Sequence, residues 1–264
     1  MRIVPCWTRA AIVAATSLLV VRLPAQDLAK RVTASDGTVN VIYPSRPSAC
    51  GDGRSLQNVL GDNRFYSGDV VWTGRDDART RMCVHGPARA MATVLDGEVT
   101  RLRLYIGPIP ATPADIRTIT VSPAEAVGWL STMASRGTSR VAGEAILALV
   151  AADAPDPWPF LLRLARDDDR PRNVRGSALM WLSYAVNDHL GIADADSRAS
   201  DDDEMRKEAV FVLSQRPKNE SVPELIDLAR TARNPAARKA AIFWLGQTGD
   251  RRAADVYAEL LGIR

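Results

Sequence analysis

The sequence predicts an α + β protein in two parts: a small β-rich domain over 26–121, then an all-α solenoid of about four helix pairs over 122–264. Three observations predict it. Before 121, apolar and polar residues alternate in short runs punctuated by Gly, Pro and Asp, the pattern of half-buried strands. After 122 the apolar spacing becomes helical. One phrase then recurs in that second part: "GEAILALVA" from Gly143, "GSALMWLSY" from Gly176, "KEAVFVLSQ" from Lys207 and "KAAIFWLGQ" from Lys239. Their alanines, Ala145, Ala178, Ala209 and Ala241, fall 33, 31 and 32 residues apart, and a fixed period of this size marks a stacked repeat architecture.

The first residues stand outside that plan. Arg2 and Arg9 give a basic start, the 12 residues Ala10 to Val21 are almost wholly apolar, and "LPAQ" offers Ala25 as a small residue before a cut. A spanning helix needs about 20 apolar residues, so residues 1–25 read as a secretory signal peptide and not as an anchor. The expected protein is exported, periplasmic or secreted, with no membrane span after cleavage. Loss of Arg2, Arg9 and Arg22 leaves 31 basic against 31 acidic residues. A balanced chain lacks the excess positive charge that neutralises phosphates, so no nucleic-acid partner is expected. The remaining composition, 46% hydrophobic and 25% charged, is that of a globular protein.

Cysteine usage agrees with export. Cys6 leaves with the signal, and Cys50 and Cys83 remain as an even pair in an oxidising compartment. A disulfide between them would close a loop of about 30 residues and contribute roughly 3 to 4 kcal/mol, with two buried thiols as the alternative.

In chain order, "TVNVIYP", "DVVWTG" and "RAMATVLDGEVTRLRLYIG" read as strands. Asp96-Gly97 sits between two β-rich runs and supplies the positive φ angles of a two-residue hairpin turn. Arg101, Arg103 and Tyr105 alternate with Leu102, Leu104 and Ile106, which predicts one wet and one buried face. "TITVSP" closes this part with one more short strand. "SPAE" then places Ser122 at an N-cap, Pro123 at the first helical position and Glu125 where a capping box wants it.

Each repeated phrase has an apolar run too continuous for a surface helix, as in "AAIFWL", so these segments are expected to be inner helices covered on several sides. Companion amphipathic stretches are "WPFLLRLAR", "VPELIDLAR" and "AADVYAELL". Gly246 and Gly262 stand where helix stops are expected. Between Tyr184 and Met205, "AVNDHLGIADADSRASDDDE" replaces a clean helix with a loop or a degraded one.

"NPAARKAAIFWLGQTGD" resembles the inner helix of a HEAT repeat, in its short bacterial form. The family's pattern is carried by Asn234-Pro235, Ala237-Arg238, Ala241, Leu245-Gly246 and Gly249-Asp250, with Arg206 and Arg175 at the equivalent Arg position of the two preceding repeats. Ala142 replaces that Arg in the first repeat, which departs from the pattern as a cap would. The resemblance covers about the last 140 residues. It implies a curved helical array that binds a protein or peptide on its concave surface, without chemistry, and makes Arg206, Lys207, Arg238 and Lys239 candidate contacts. HEAT-like DNA glycosylases and chromophore lyases are the enzymatic alternative. A further alternative has the repeats only supporting a ligand-binding β-rich domain.

No catalytic, metal or cofactor constellation is read. His85 and His189 are isolated, and "DADSRASDDDEM" fails the calcium-loop pattern at Arg198, Ala199 and Met205. "GDGR" lacks the Lys-Ser/Thr of a phosphate loop and reads as a turn. Trp181, Phe211, Phe243 and Trp244 recur at repeat spacing and read as packing between repeats.

Overall fold

The computed structural model describes residues 24–54, 57–58, 64–67, 70–73, 84–192, 195 and 200–263. Of the signal peptide expected over 1–25, residues 1–23 lie outside them. The first described element is helix α1 (Pro24–Val32), which the sequence reading did not anticipate. Leu28 and Val32, one helical turn apart, are fully buried, and the Arg117 guanidinium donates to the carbonyls of Arg31 (3.0 Å), Val32 (2.8 Å) and Ser35 (3.2 Å). A cation on the last carbonyls of a helix satisfies acceptors that have no partner within it.

Strands β1 (Gly37–Tyr43), β6 (Ala88–Leu95), β7 (Glu98–Ile106) and β8 (Arg117–Thr120) form a mixed sheet in the order β7-β6-β1-β8. β1 pairs antiparallel with β6 and parallel with β8. The β6–β7 hairpin turns at Asp96 (φ 53°) and Gly97 (φ 74°), both left-handed as expected. The Asp36 carboxylate accepts from both turn amides. Leu102, Leu104 and Ile106 are buried and Arg101 and Arg103 exposed, the alternation read in the sequence. A second set of short strands, β2 (Cys50–Gly51), β3 (Gln57–Asn58), β4 (Arg64–Ser67) and β5 (Val70–Thr73), pairs antiparallel in that order. Cys50 is buried and disulfide-bonded. Cys83 lies outside the described residues, and Gly51 exchanges two 3.0 Å backbone hydrogen bonds with Val84, the residue that follows it.

Helix α2 (Pro123–Arg136) opens on the expected capping box, Ser122 with Glu125. Helix α3 (Ser139–Ala151) packs on the sheet, and the buried Tyr43 hydroxyl of β1 donates to its Ala148 carbonyl at 3.0 Å. One continuous cluster of buried side chains runs from α1 and the sheet through all the later helices. These are α4 (Trp158–Arg166), α5 (Arg172–His189), α6 (Asp201–Ser214), α7 (Lys218–Thr231), α8 (Pro235–Gln247) and α9 (Arg252–Leu260). Of the stretch expected as a loop or degraded helix over 185–204, the first five residues continue α5 to His189 and the last four open α6 at Asp201, so the irregular part is shorter than read.

The helix pairs do not stack in chain order. α8 packs on α5, and α6 packs on α8. A row of rings marks the sequence of contacts: Trp181–Tyr184 (5.6 Å), Tyr184–Phe243 (6.3 Å), Phe243–Trp244 (5.1 Å) and Trp244–Phe211 (5.0 Å between centroids). Beneath it, Arg166 of α4 pairs with Asp255 of α9 at 2.9 Å, and Arg230 of α7 pairs with Glu259 of α9. Arg172 and Lys218, at the starts of α5 and α7, both donate to the Thr248 carbonyl at the end of α8. The pair α8–α9 is therefore inserted between α4–α5 and α6–α7, and α6 forms the end of the array.

Gly246, expected as a helix stop, lies inside α8. Its role is close approach, since a Cβ there would meet the Tyr257 hydroxyl at 2.9 Å and the Leu179 carbonyl oxygen at 3.2 Å. The left-handed residue that ends α8 is Gly249 (φ 62°), and Gly262 (φ 66°) ends α9 as expected. Gly246→Ala should lower unfolding free energy by about 1 to 3 kcal/mol in chemical denaturation. An exposed helix position would instead gain from the same change, so the sign of the shift tests the contact.

The α6 start is held by the Asp203 carboxylate, which accepts from the Ser200 amide at 2.9 Å and from the Asn234 amide of α8 at 2.6 Å. These bonds, the Ser200 backbone first, hold its pKa well below the usual carboxylate range. A depressed carboxyl stabilises the fold above its unfolded pKa, near 4, and loses that contribution as pH falls toward the folded value. Asp203→Asn should be less stable than the natural chain at neutral pH, with the gap closing below about pH 4 in denaturant titrations run at a series of pH values.

Candidate functional site

Helix α6 is where the structure departs most from an inner repeat helix. Local chemistry makes it a helix: Ser200 and Asp203 form a capping box, and Asp201, Asp202, Asp203 and Glu204 crowd the first turn, where the helix dipole favours negative charge. Pairs one turn apart, Arg206 with Asp202 (3.5 Å) and Asp203 (3.2 Å) and Lys207 with Glu204 (2.6 Å), brace it. Yet Val210 is its single buried residue. Val212 is 55% exposed, where "KEAVFVLSQ" predicted cover on several sides, and Met205 just before that phrase is 71% exposed. The cause is position, because an end helix has a neighbour on one flank only.

Between α6 and α7 lies an open groove of about 390 Å³. Ala209, Val210, Val212 and Leu213 of α6 line one wall, and Leu228 of α7 with Ala237 of α8 closes the other side. Arg206, Arg216 and Glu224 supply its charged margin. The groove is thus apolar along its length and polar at its rim. Such a surface can take an amphipathic segment whose apolar side enters and whose polar side stays wet.

The four residues expected as contacts are not brought together. Arg206 lines the groove, while Lys207 lies on α6 paired to Glu204. Arg238 is turned inward, its Nε donating to the Ala229 carbonyl of α7 at 2.8 Å. Lys239 is 6% exposed and offers no contact surface. Ala209, Val212, Arg216 and Leu228 were missed. Their only sequence signal was the irregular stretch before α6, which hides a change of stacking order.

The other motifs resolve into structure. His85 Nδ1 donates to the Ala49 carbonyl at 3.0 Å, and His189 closes the last turn of α5. "GDGR" is a turn: the Asp52 carboxylate accepts from the Arg54 amide at 2.8 Å, and Gly53 (φ 74°) lies so near Pro108 that a Cβ would stand 1.9 Å from its carbonyl oxygen. Of the acidic loop, residues 194 and 196–199 lie outside the described residues, and Asp203 is the partner of the Ser200 N-cap in the capping box of α6. No described helix is long and apolar enough to cross a membrane.

Residues 196–262 match the family model for HEAT repeats. No curated protein and no solved structure matches the chain. The matched segment takes in α6 to α9, so HEAT-like repeats are found in this C-terminal part of the helical half.

Proposed function

We propose that this protein is a noncatalytic interaction scaffold of the cell envelope, binding a protein or peptide on its HEAT-like helices. The observation that carries the reading is the open groove beside α6, where Val212 and Met205 stay exposed although every other repeated phrase is packed away. Apolar side chains in contact with water are a standing cost that burial by a partner removes, about 25 cal/mol per Å² covered. HEAT repeats commonly serve as interaction scaffolds, which agrees with a surface that offers shape and apolar area. The envelope location rests on the basic and apolar start of the sequence and on "LPAQ". The Cys50–Cys83 disulfide belongs to the same reading, with Cys50 bonded and Gly51 joined to Val84.

The test uses the full chain, crosslinked in envelope extract beside a Val212→Glu variant of equal helicity. A discrete protein that is captured by the natural chain, and then rebinds in purified form at least about tenfold more tightly than to the variant, is the expected result. Equal capture by both chains, or capture by neither, overturns the reading.

A further inference from the structure

Resting on that reading of the groove, we propose that its occupant is the α6 helix of a second copy of this chain, packed antiparallel about a two-fold axis at Ala209. In stacked repeat proteins the end repeat normally turns a polar face outward. Here the end helix presents Met205, Ala209 and Val212 at positions i, i+4 and i+7, one stripe of an α-helix, and all three are exposed. A copy seated on that stripe continues the stack.

The stripe has the self-complementarity that a two-fold contact demands, where residue i of one copy meets j of the other and j meets i. Asp202 and Ala209 lie seven residues apart, two turns of α6, so they share this face, and Arg216, two residues past the last residue of the helix, lines the same groove as Ala209. Antiparallel pairing centred on Ala209 sets Asp202 of each copy against Arg216 of the other. It also sets Met205 against Leu213, apolar against apolar, and Val212 against the aliphatic stem of Arg206. The small Ala209 side chain at the axis lets the backbones approach. Asp202 is available for the exchange, because its side chain is 76% exposed and its pairing with Arg206 on the same helix is a 3.5 Å surface contact, of a kind that contributes little. Parallel packing would instead set the four acidic residues of each first turn against those of the other. The charge pattern selects the antiparallel arrangement.

Sedimentation equilibrium of the full chain over a wide concentration range tests this. The expected result is a reversible dimer that Val212→Glu renders monomeric, with helicity unchanged by circular dichroism. Asp202→Arg and Arg216→Glu, each placing like charges together at both ends, should weaken it by about tenfold. The double variant Asp202→Arg/Arg216→Glu should restore it. A monomer at every concentration overturns the proposal, as does a dimer that ignores Val212→Glu or a double variant no tighter than the single ones. A monomeric chain that still captures a different protein through Val212 sinks the dimer and leaves the scaffold standing. Loss of Val212-dependent capture as well sinks both.

Discussion

The seating of α8 against α5 is the contact on which the helical half depends. It is close because Gly246 has no side chain where Leu179 and Tyr257 lie, and it is dry because Tyr257 is fully buried with its hydroxyl donating to the Ile242 carbonyl. Burial holds that hydroxyl's pKa well above the ordinary value, so it remains a donor at any physiological pH. Once α8 occupies this place, α6 cannot. The chain leaves α5, passes the position its next helix would take in an orderly stack, and returns to it only after α6 and α7 have formed. An array in which each pair met only its sequence neighbours would add stability pair by pair. Here the last pair must arrive before α6–α7 can be joined to the rest, which couples the C-terminal residues to the whole array.

What the sequence made legible was local. The Asp96-Gly97 turn, the Ser122–Glu125 box and the alternation along β7 each depend on residues within a few positions of one another, and each stands in the structure as read. The repeat period was legible for the same reason, since each phrase carries its own apolar run. The order of the repeats was not. "KEAVFVLSQ" and "KAAIFWLGQ" are similar enough that each could lie beside α5, and the choice is settled by Gly246, for which "KEAVFVLSQ" has Ser214 in its place. That difference is visible in the sequence, but glycine after an apolar run more often marks a helix end than a close approach. Helix α1 escaped notice because its stability is tertiary: two buried apolar side chains and one distant arginine hold nine residues that would not stay helical alone.

The same arginine use explains why charge was a poor guide to the binding surface. Arg117 serves the carbonyl end of α1, Arg170 that of α2 through Ala134 and Gly137, Arg238 that of α7, and Arg172 with Lys218 that of α8. In each case a cation from elsewhere in the chain meets the negative end of a helix dipole and satisfies carbonyls the helix leaves open. Such contacts fix the angle between successive helices and are spent on the fold. At the recurring basic position of the repeats, Arg238 joins α8 to α7, whereas Arg175 pairs with Asp168 before its helix and Arg206 with Asp202 and Asp203 within α6. Where the joining stops, at the free flank of α6, the surface left over is an apolar groove with Arg206, Arg216 and Glu224 at its margin. That surface was invisible to a search for charge clusters because its charges are few, and it stands out only once the helix that should have covered it is found on the other side.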